Sequence, residues 1–327
     1  MSKTANAGFD DWYFRAGLLQ EQQQRTGINQ VNFRFPLSFE MTTANTHGEL
    51  QRLVDSRFHN EAPVWSSIYK ESGVTADIYR LRRDRALAII EQLGSSEARI
   101  LEIGCGAGLL AIALARRGYR VEATDRLDAM IRLTSDLAAA EGVSHRMTAR
   151  VCDVHELPYP DHSFDVVVAL GVLPWLHSPE QALREAARVL SIGGQFIVTT
   201  DSRWQLTHLF DPFCSPLTEP VRRWVGRILE ALSLIKSRKK PRPKLYSTRH
   251  LDQLLARAGL QKVCGSTIGF GPFLFLKRKL IPDSMASRIH ARLQSLADLG
   301  LPLLRSAGIE YIAVARKAGP SASNASG

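Results

Sequence analysis

The chain has 327 residues, of which 45% are hydrophobic, and a formal net charge of +10 at pH 7. This length accommodates one large domain with additions or two small domains, and the hydrophobic content excludes a chain that is mainly disordered. The four cysteines lie far apart and form no Cys-x-x-Cys pair, which argues against a disulfide framework or a zinc site and favours a reducing compartment.

Residues 1–75 are predicted to form an N-terminal extension rich in aromatic side chains. Ten of the 25 aromatic residues of the chain lie within residues 1–69. Because disordered tails are seldom so aromatic, we expect part of this extension to pack on the main domain as a lid over a ligand cleft; the alternative is an arm used in dimerisation. The N-terminus lacks the apolar core of a signal peptide, and no uncharged apolar stretch reaches the about 20 residues that cross a bilayer. We therefore expect a cytoplasmic protein without a transmembrane segment.

Residues 76–201 are predicted to form an α/β core, because strand and helix patterns alternate along them. Apolar runs predict strands beginning at Arg99 and covering 119–124, 147–152, 164–170 and 195–201, and periodic patterns predict helices over 76–93, 127–141 and 180–190. Gly193 and Gly194 are predicted to break the last of these helices before the fifth strand. Such an alternation favours a parallel sheet with helices on both faces.

The turn after the first strand carries three glycines, Gly104, Gly106 and Gly108, and is preceded by Glu102. A strand, a glycine turn and a helix together form the ligand-binding corner of a doubly wound sheet. The dinucleotide fingerprint G-x-G-x-x-G fails, because Leu109 stands at its third glycine. A carboxylate at this corner repels a pyrophosphate and suits a cationic ligand. This favours S-adenosylmethionine (SAM), which carries an ammonium and a sulfonium group.

At this motif the sequence resembles the class I SAM-dependent methyltransferases, in the branch of the ubiquinone/menaquinone and other small-molecule methylases. The resemblance is continuous from about Arg99 to Asp201. Residues 153–165, Asp-Val-His-Glu-Leu-Pro-Tyr-Pro-Asp-His-Ser-Phe-Asp, are very close to the family loop D-x-x-x-L-P-F-x-D-x-S-F-D. Residues 188–194 read R-V-L-S-I-G-G where the family writes R-V-L-K-P-G-G. The resemblance implies a Rossmann-like doubly wound sheet of seven strands, mostly parallel with an antiparallel last strand.

The resemblance also implies a SAM site built from the ends of successive strands. The glycine turn with Glu102 is expected to hold the methionine part of SAM, Asp125 the ribose hydroxyls and Asp153 the adenine amine. The full set of expected SAM-binding residues is Glu102, Gly104, Cys105, Gly106, Gly108, Asp125, Arg126, Asp153, Val154, Leu170 and Gly171. Taken singly, Asp125 could be a helix cap, Asp153 a turn former and Gly171 a loop residue. Their joint spacing on alternating strands favours the SAM site.

His177 is the first candidate for a general base, because an unperturbed imidazole titrates near neutral pH. The alternative is a hydrogen-bonded structural histidine at the start of a helix. Trp175 is expected either to stack on a flat acceptor or to belong to the core. Weaker candidates for the base are His155, His208, Tyr13 and Tyr69.

Residues 202–245 are predicted to be a cap insertion with a helix over 219–234 and a basic loop. Residues 236–244 hold six cations in nine positions; a solvated loop is favoured, with attraction of substrate or membrane as the alternative. Residues 246–317 are expected to complete the methyltransferase domain with helices over 247–258 and 283–299 and strands over 260–267 and 309–316. The small, polar residues 318–327 are predicted to be a disordered tail.

The acceptor is predicted to be a small, hydrophobic molecule, with the methylated atom (O, N or C) left open. The stretch after the fourth strand lacks the Asn/Asp-Pro-Pro-Tyr signature of nucleic-acid amino methylases, and the basic run lacks the interleaved aromatic residues that favour stacking on single strands. No stable nucleic-acid complex is therefore expected. The alternatives are an RNA or protein methyltransferase recruited by the basic run, or a non-catalytic SAM-binding subunit. A homodimer and a peripheral membrane contact both stay open.

Overall fold

The structure is a computed structural model that describes residues 51–59, 71–94, 97–209, 211–231, 241–276 and 278–319. Several of the predictions lie outside these residues. They are the aromatic extension up to residue 50, the candidate bases Tyr13 and Tyr69, residues 236–240 of the basic run and the tail from residue 320.

A seven-stranded sheet forms the centre of the described fold, in the order β3-β2-β1-β4-β5-β9-β6. Its strands are β1 (Arg99–Ile103), β2 (Arg120–Asp125), β3 (Met147–Val151), β4 (Phe164–Ala169), β5 (Leu190–Asp201), β6 (Leu260–Ile268) and β9 (Glu310–Lys317). The first five pair in parallel, whereas β9 runs antiparallel to both β5 and β6. The predicted Rossmann-like sheet, with its antiparallel last strand, is confirmed.

Helices cover both faces of this sheet. They are α1 (Val74–Glu91), α2 (Leu109–Arg116), α3 (Asp128–Ala140), α4 (Pro179–Val189), α5 (Leu206–Leu209), α6 (Glu219–Ala231), α7 (Thr248–Arg257) and α8 (Asp283–Asp298). Residues 51–59 are also helical, residues 173–175 form a 3-10 turn, and β7 (Leu274–Phe275) pairs with β8 (Arg278–Lys279). No helix in the described part of the chain has the length and apolar character of a membrane span.

Two apolar layers lie on opposite sides of the sheet because alternate side chains of a strand point to opposite faces. Ile100 packs in the layer under α1, α2 and α3, whereas its neighbour Leu101 packs in the layer under α4 and α7. A strand covered on both faces needs a continuous apolar run. The apolar stretches of β1 and β4 meet this need, which is why these two strands were visible in the sequence.

The start of β5 differs from the prediction. Helix α4 ends at Val189, and the chain enters β5 directly at Leu190, which pairs with Phe164 of β4. The register then shifts between the pairs formed by Phe164 and Val166. The predicted strand start at residue 195 was therefore wrong, because the Gly193–Gly194 pair lies in an irregular part of the strand and not in a turn between the two elements.

Candidate active site

A cavity of about 220 Å³ opens at the carboxyl ends of β1, β2 and β4. In an open α/β sheet, ligands bind outside the carboxyl ends of the strands where the strand order reverses, which here is between β1 and β4. Ten of the eleven residues predicted to bind SAM line this cavity. The structure thus brings together residues from four successive strand ends, including Glu102, Asp125 and Asp153.

The glycine turn brings the backbone close to the cavity. Gly104 has a φ of 67°, and a Cβ built on it would lie 2.4 Å from Cγ2 of Val172. Gly108, the eleventh predicted residue, does not line the cavity. It precedes α2 with a φ of 73°, and a Cβ there would lie 2.4 Å from Cγ2 of Thr134 on α3. Gly108 therefore permits the close packing of α2 against α3.

Asp125, the last residue of β2, fastens the glycine turn to the sheet. Its Oδ2 accepts a hydrogen bond from the Gly106 N–H at 3.0 Å, and its Oδ1 accepts one from the Leu127 N–H at 2.9 Å. Burial raises the pKa of this carboxyl, and the backbone donors partly offset that rise. An ionised carboxylate offers about four acceptor positions. The backbone N–H of Arg126 also acts on this carboxylate, and the acceptor capacity that is left can serve a ligand hydroxyl.

Asp153 lies in a network of hydrogen bonds at one side of the cavity. Its Oδ1 accepts from the His155 backbone N–H at 2.9 Å and contacts the His155 Nδ1 at 2.6 Å. The hydrogen bonds from His155 and the charge of Arg126 hold the pKa of Asp153 well below its usual range. Arg126 donates to Asp153 through Nη1 and, at 2.9 Å, to Asp55 through Nε. One guanidinium thus connects the helical segment 51–59 to the acid that follows β3.

The structure places His155 at the cavity, rather than the predicted His177. His155 is 7% exposed and lines the cavity, and its Nε2 has no hydrogen-bond partner among the described residues. The His177 ring stacks on it at 3.8 Å between centroids and does not line the cavity. Its Nδ1 lies 3.3 Å from Oε1 of Gln51. This placement gives no support to a base role for His177. His208, on α5, also lies outside the lining residues.

Aromatic side chains line the same cavity next to the 3-10 turn. Trp175 lines it and meets Phe58 edge to face, with ring centroids 5.1 Å apart. The guanidinium of Arg57 lies 5.1 Å from the centroid of the Trp175 ring. Trp175 is therefore a wall of the cavity, built against the helical segment 51–59.

Sequence analysis missed a polar cluster at the cavity, formed by Arg82 of α1, Asp201 of β5 and Glu310 of β9. Nη1 of Arg82 donates to Oε1 of Glu310 at 3.1 Å. Asp201 and Glu310 occupy paired positions in the antiparallel β5–β9 ladder. The signal that could have found them is an acidic residue at the end of the fifth apolar strand and another at the start of the last one.

Glu102 is a buried carboxyl group with an unsatisfied oxygen. It is 4% exposed, and among the described residues its Oε2 has no hydrogen-bond partner. Burial raises its pKa to about 8. Leaving a polar atom unpaired in a buried place costs free energy. A cationic or hydrogen-bond-donating ligand group in the cavity would pair with Oε2 of Glu102. This carboxyl group therefore fits the ammonium end of SAM.

The cavity is acidic although the chain is basic. Six carboxyl groups and three guanidinium groups belong to its lining residues, against a net charge of +10 for the whole chain. The carboxyl groups are those of Asp55, Glu102, Asp125, Asp153, Asp201 and Glu310. Because ionised carboxylates in a cleft attract ions of the opposite sign, those of the six that are ionised favour a cationic ligand. In the described part of the chain no group of three or more His, Cys, Asp and Glu side chains could hold a metal ion.

Replacing Glu102 by glutamine should change how stability depends on pH. The carboxyl has a pKa near 4.5 in an unfolded chain and about 8 in the folded protein. Its favourable contribution is fully present below pH 4.5 and is lost as the pH rises through 8. As the pH rises between these values, the wild type should lose stability and Glu102→Gln should not. The difference between their free energies of unfolding should therefore change by more than about 1 kcal/mol in favour of the variant, since one pKa unit corresponds to about 1.4 kcal/mol.

Urea unfolding of both proteins without ligand, at pH values from 5 to 9, measures this difference. The matched control is Glu156→Gln, which removes an exposed carboxyl and should follow the wild type at every pH. A constant offset between Glu102→Gln and the wild type across the series would contradict the buried, protonated state.

The chain is similar in sequence to known methyltransferases. Residues 101–198 match a family model described as a methyltransferase domain. A ubiquinone biosynthesis O-methyltransferase from Alkalilimnicola ehrlichii is 34% identical over 157 residues, which cover 47% of this chain and 62% of that protein. Ajmaline N-methyltransferase from Rauvolfia serpentina is 27% identical over 163 residues, covering 49% and 55%. The chain spans between 50% and 66% of the length of five such curated relatives.

Solved structures share the fold at low sequence identity. Magnesium protoporphyrin IX methyltransferase from Synechocystis PCC 6803, solved with bound SAH, gives a TM-score of 0.54 at 14% identity, covering 83% of this chain and 99% of that one. The [4+2]-cyclase SpnF gives 0.52 at 20% identity, covering 82% and 96%. Residues 101–198 therefore carry a methyltransferase domain, which lies on the sheet whose strand order is given above. The predicted family and its cofactor, SAM, are thereby confirmed.

Proposed function

We propose that this chain transfers a methyl group from SAM to a small, hydrophobic acceptor. The observation that carries the proposal is the convergence of Glu102, Asp125 and Asp153, from three strand ends, on one acidic cavity. SAM supplies a methyl carbon already activated by a sulfonium. The protein therefore contributes mainly alignment of the reacting atoms and exclusion of water.

The described residues suggest how SAM is held. Glu102 receives the ammonium group, Asp125 accepts from the ribose hydroxyls, and Asp153 with Val154 takes the adenine. Leu170 and Gly171, which follow β4, are left for the sulfonium end. The support is that these residues line one cavity in the order of their strands, with the unsatisfied Glu102 oxygen next to the glycine turn.

The acceptor space in this proposal lies beneath the helical segment 51–59. Val54 and Phe58 from that segment and Trp175 and Leu176 from the 3-10 region give the cavity an apolar wall, which suits a hydrophobic acceptor. The salt bridge between Asp55 and Arg126 holds the segment over the cavity. We therefore propose that residues 51–59 form a lid over the cavity. The curated relatives, an O-methyltransferase and an N-methyltransferase among them, support a small-molecule acceptor and leave the methylated atom open.

The proposal is tested in two stages because a fold does not fix a reaction; a cyclase shares this one. Calorimetry with the intact chain should first show binding of SAM. Incubation with methyl-labelled SAM and fractionated metabolites should then label a small apolar compound. Failure to bind SAM would overturn the proposal. Binding without labelling of any fraction would replace the enzyme by a non-catalytic SAM-binding subunit.

A further inference from the structure

The cluster of Arg82, Asp201 and Glu310 occupies the part of the cavity beside the end of β4. A Cβ built on Gly171 would lie 2.8 Å from Nη1 of Arg82, so the guanidinium is packed against the turn that follows β4. In the proposed function this turn is next to the sulfonium. The cluster therefore lies where an acceptor would meet the methyl group.

The cluster has two carboxyl groups and one guanidinium. Asp201 and Glu310 face each other at paired ladder positions, an arrangement that is unfavourable for like charges. Nη1 of Arg82 donates to Oε1 of Glu310, and the Arg82 guanidinium also lies 4.5 Å from the centroid of the Tyr79 ring. Glu310 is 4% exposed, and its Oε2 lacks a hydrogen-bond partner among the described residues. Asp201 is partly buried, and no described side chain donates a hydrogen bond to it.

Two carboxyl groups line the cavity here, and the described residues supply too few hydrogen-bond donors for them. A ligand with its own donor would pair with them. We infer that Asp201 and Glu310 form the acceptor site, that the acceptor is an amine bound as its ammonium, and that Asp201 takes a proton from it before methylation on nitrogen. This inference rests on the proposed function and names the class of its substrate.

The charge of the whole cavity supports the same choice. Its lining carboxyl groups exceed its guanidinium groups by three. SAM carries an ammonium, a sulfonium and a carboxylate, and its net positive charge compensates one of these carboxyl groups in its ionised form. A cationic acceptor compensates another. A neutral alcohol leaves it uncompensated, and an anionic acceptor is repelled, because Coulomb energies are large in a poorly hydrated site.

The reaction balances with the groups present. Asp201 accepts one proton from the bound ammonium, which frees the nitrogen lone pair. That pair forms the bond to the methyl carbon as the carbon–sulfur bond breaks, and the electrons of the broken bond stay on sulfur, which becomes a neutral thioether.

The surroundings of Asp201 suit this role. Glu310 on β9 and the burial of the site raise its pKa to about 8, and Arg82 on α1 limits the rise. A further titratable neighbour is Tyr246, whose backbone N–H donates to the Asp201 carbonyl oxygen at 2.9 Å. General bases work best when their pKa lies near the working pH.

The test measures binding of three probes of similar size and different charge to the full chain saturated with S-adenosylhomocysteine. The probes are 2-phenylethylamine, 2-phenylethanol and phenylacetate. The amine should bind at least tenfold more tightly than the alcohol at pH 7, and the carboxylate more weakly than both. Calorimetry in two buffers of different ionisation enthalpy should show a proton released on binding of the amine, since the ammonium ionises Asp201.

Substitutions assign this preference to the acceptor site. Asp201→Asn should weaken the amine at least tenfold and abolish the proton release, with the affinity for S-adenosylhomocysteine unchanged. Glu310→Gln should also weaken the amine. The matched control is Asp165→Asn, on neighbouring β4 at the opposite end of the sheet, where the carboxyl pairs with Arg99; it should bind the amine as the wild type does.

Equal affinities for amine and alcohol in the wild type would overturn the inference, and so would wild-type amine affinity in Asp201→Asn. If neither variant folds, the affinities of the wild type for the amine and the alcohol alone decide whether the inference holds. The two levels of proposal fail separately: loss of cofactor binding by the wild type counts against the proposed function, whereas cofactor binding without an amine preference counts only against the amine.

Discussion

Asp125→Ala is expected to weaken SAM binding by on the order of 1–3 kcal/mol, the cost of leaving buried hydrogen-bonding groups without a partner. This corresponds to a loss of about fivefold to 150-fold in affinity. The substitution removes the proposed acceptor for the ribose hydroxyls. It also removes the acceptor of the Gly106 N–H, which holds the glycine turn to β2. Titration calorimetry with SAM measures the loss.

Asp128→Ala is the matched control for this variant. Asp128 lies three residues further on, in the first turn of α3, with 57% of its side chain exposed and a salt bridge to Arg132. It should bind SAM as the wild type does. If Asp125→Ala retained full affinity, Asp125 would no longer belong to the binding site. Its contacts with Gly106 and Leu127 would then have a purely structural role.

Gly104→Ala should both destabilise the protein and abolish measurable SAM binding. Alanine is strained at a φ of 67°, which costs about 1–2 kcal/mol. The new Cβ would also lie 2.4 Å from Cγ2 of Val172, and overpacking of this kind costs about 1–3 kcal/mol more. Urea unfolding should therefore show a loss of about 2–5 kcal/mol, the sum of these two terms. A displaced turn would also narrow the cavity that it borders.

Gly142→Ala is the control that separates backbone strain from the steric clash with Val172. Gly142 has a φ of 69°, and a Cβ there would meet nothing within 4 Å, so only the backbone term of about 1–2 kcal/mol applies. Combining Gly104→Ala with Val172→Ala should recover part of the extra loss, because the two side chains share one space. Equal losses at Gly104 and Gly142 would show that Val172 moves aside without cost.

The sequence predicted those parts of the fold and of the cavity that depend on the residue pattern within a single strand or turn. A buried parallel strand needs an uninterrupted apolar run, and an acid directly after such a run stands at the sheet edge where ligands bind. Asp125 is the last residue of β2, and Asp153 lies two residues beyond the end of β3, so both stand at this edge. The positions of the strands and of most lining residues could therefore be predicted before any side chain was placed.

Other features depend on contacts that the local sequence does not encode. Arg82 meets Glu310 across 228 residues, and only the antiparallel insertion of β9 beside β5 brings Glu310 to Asp201. The sequence made His177 the first candidate base and His155 a weaker one. Which of them faces the cavity is decided by how their rings stack, which is a matter of tertiary packing.

Arg126 has a consequence for how the protein responds to its ligand. The same guanidinium binds Asp55 of the helical segment 51–59 and Asp153, the acid proposed to hold the adenine. Occupancy at one end of this bridge and order at the other are thermodynamically linked, and such coupling is reciprocal. A bound nucleoside should favour the ordered state of residues 51–59 by a certain factor. Disordering these residues should lower the affinity for the nucleoside by the same factor.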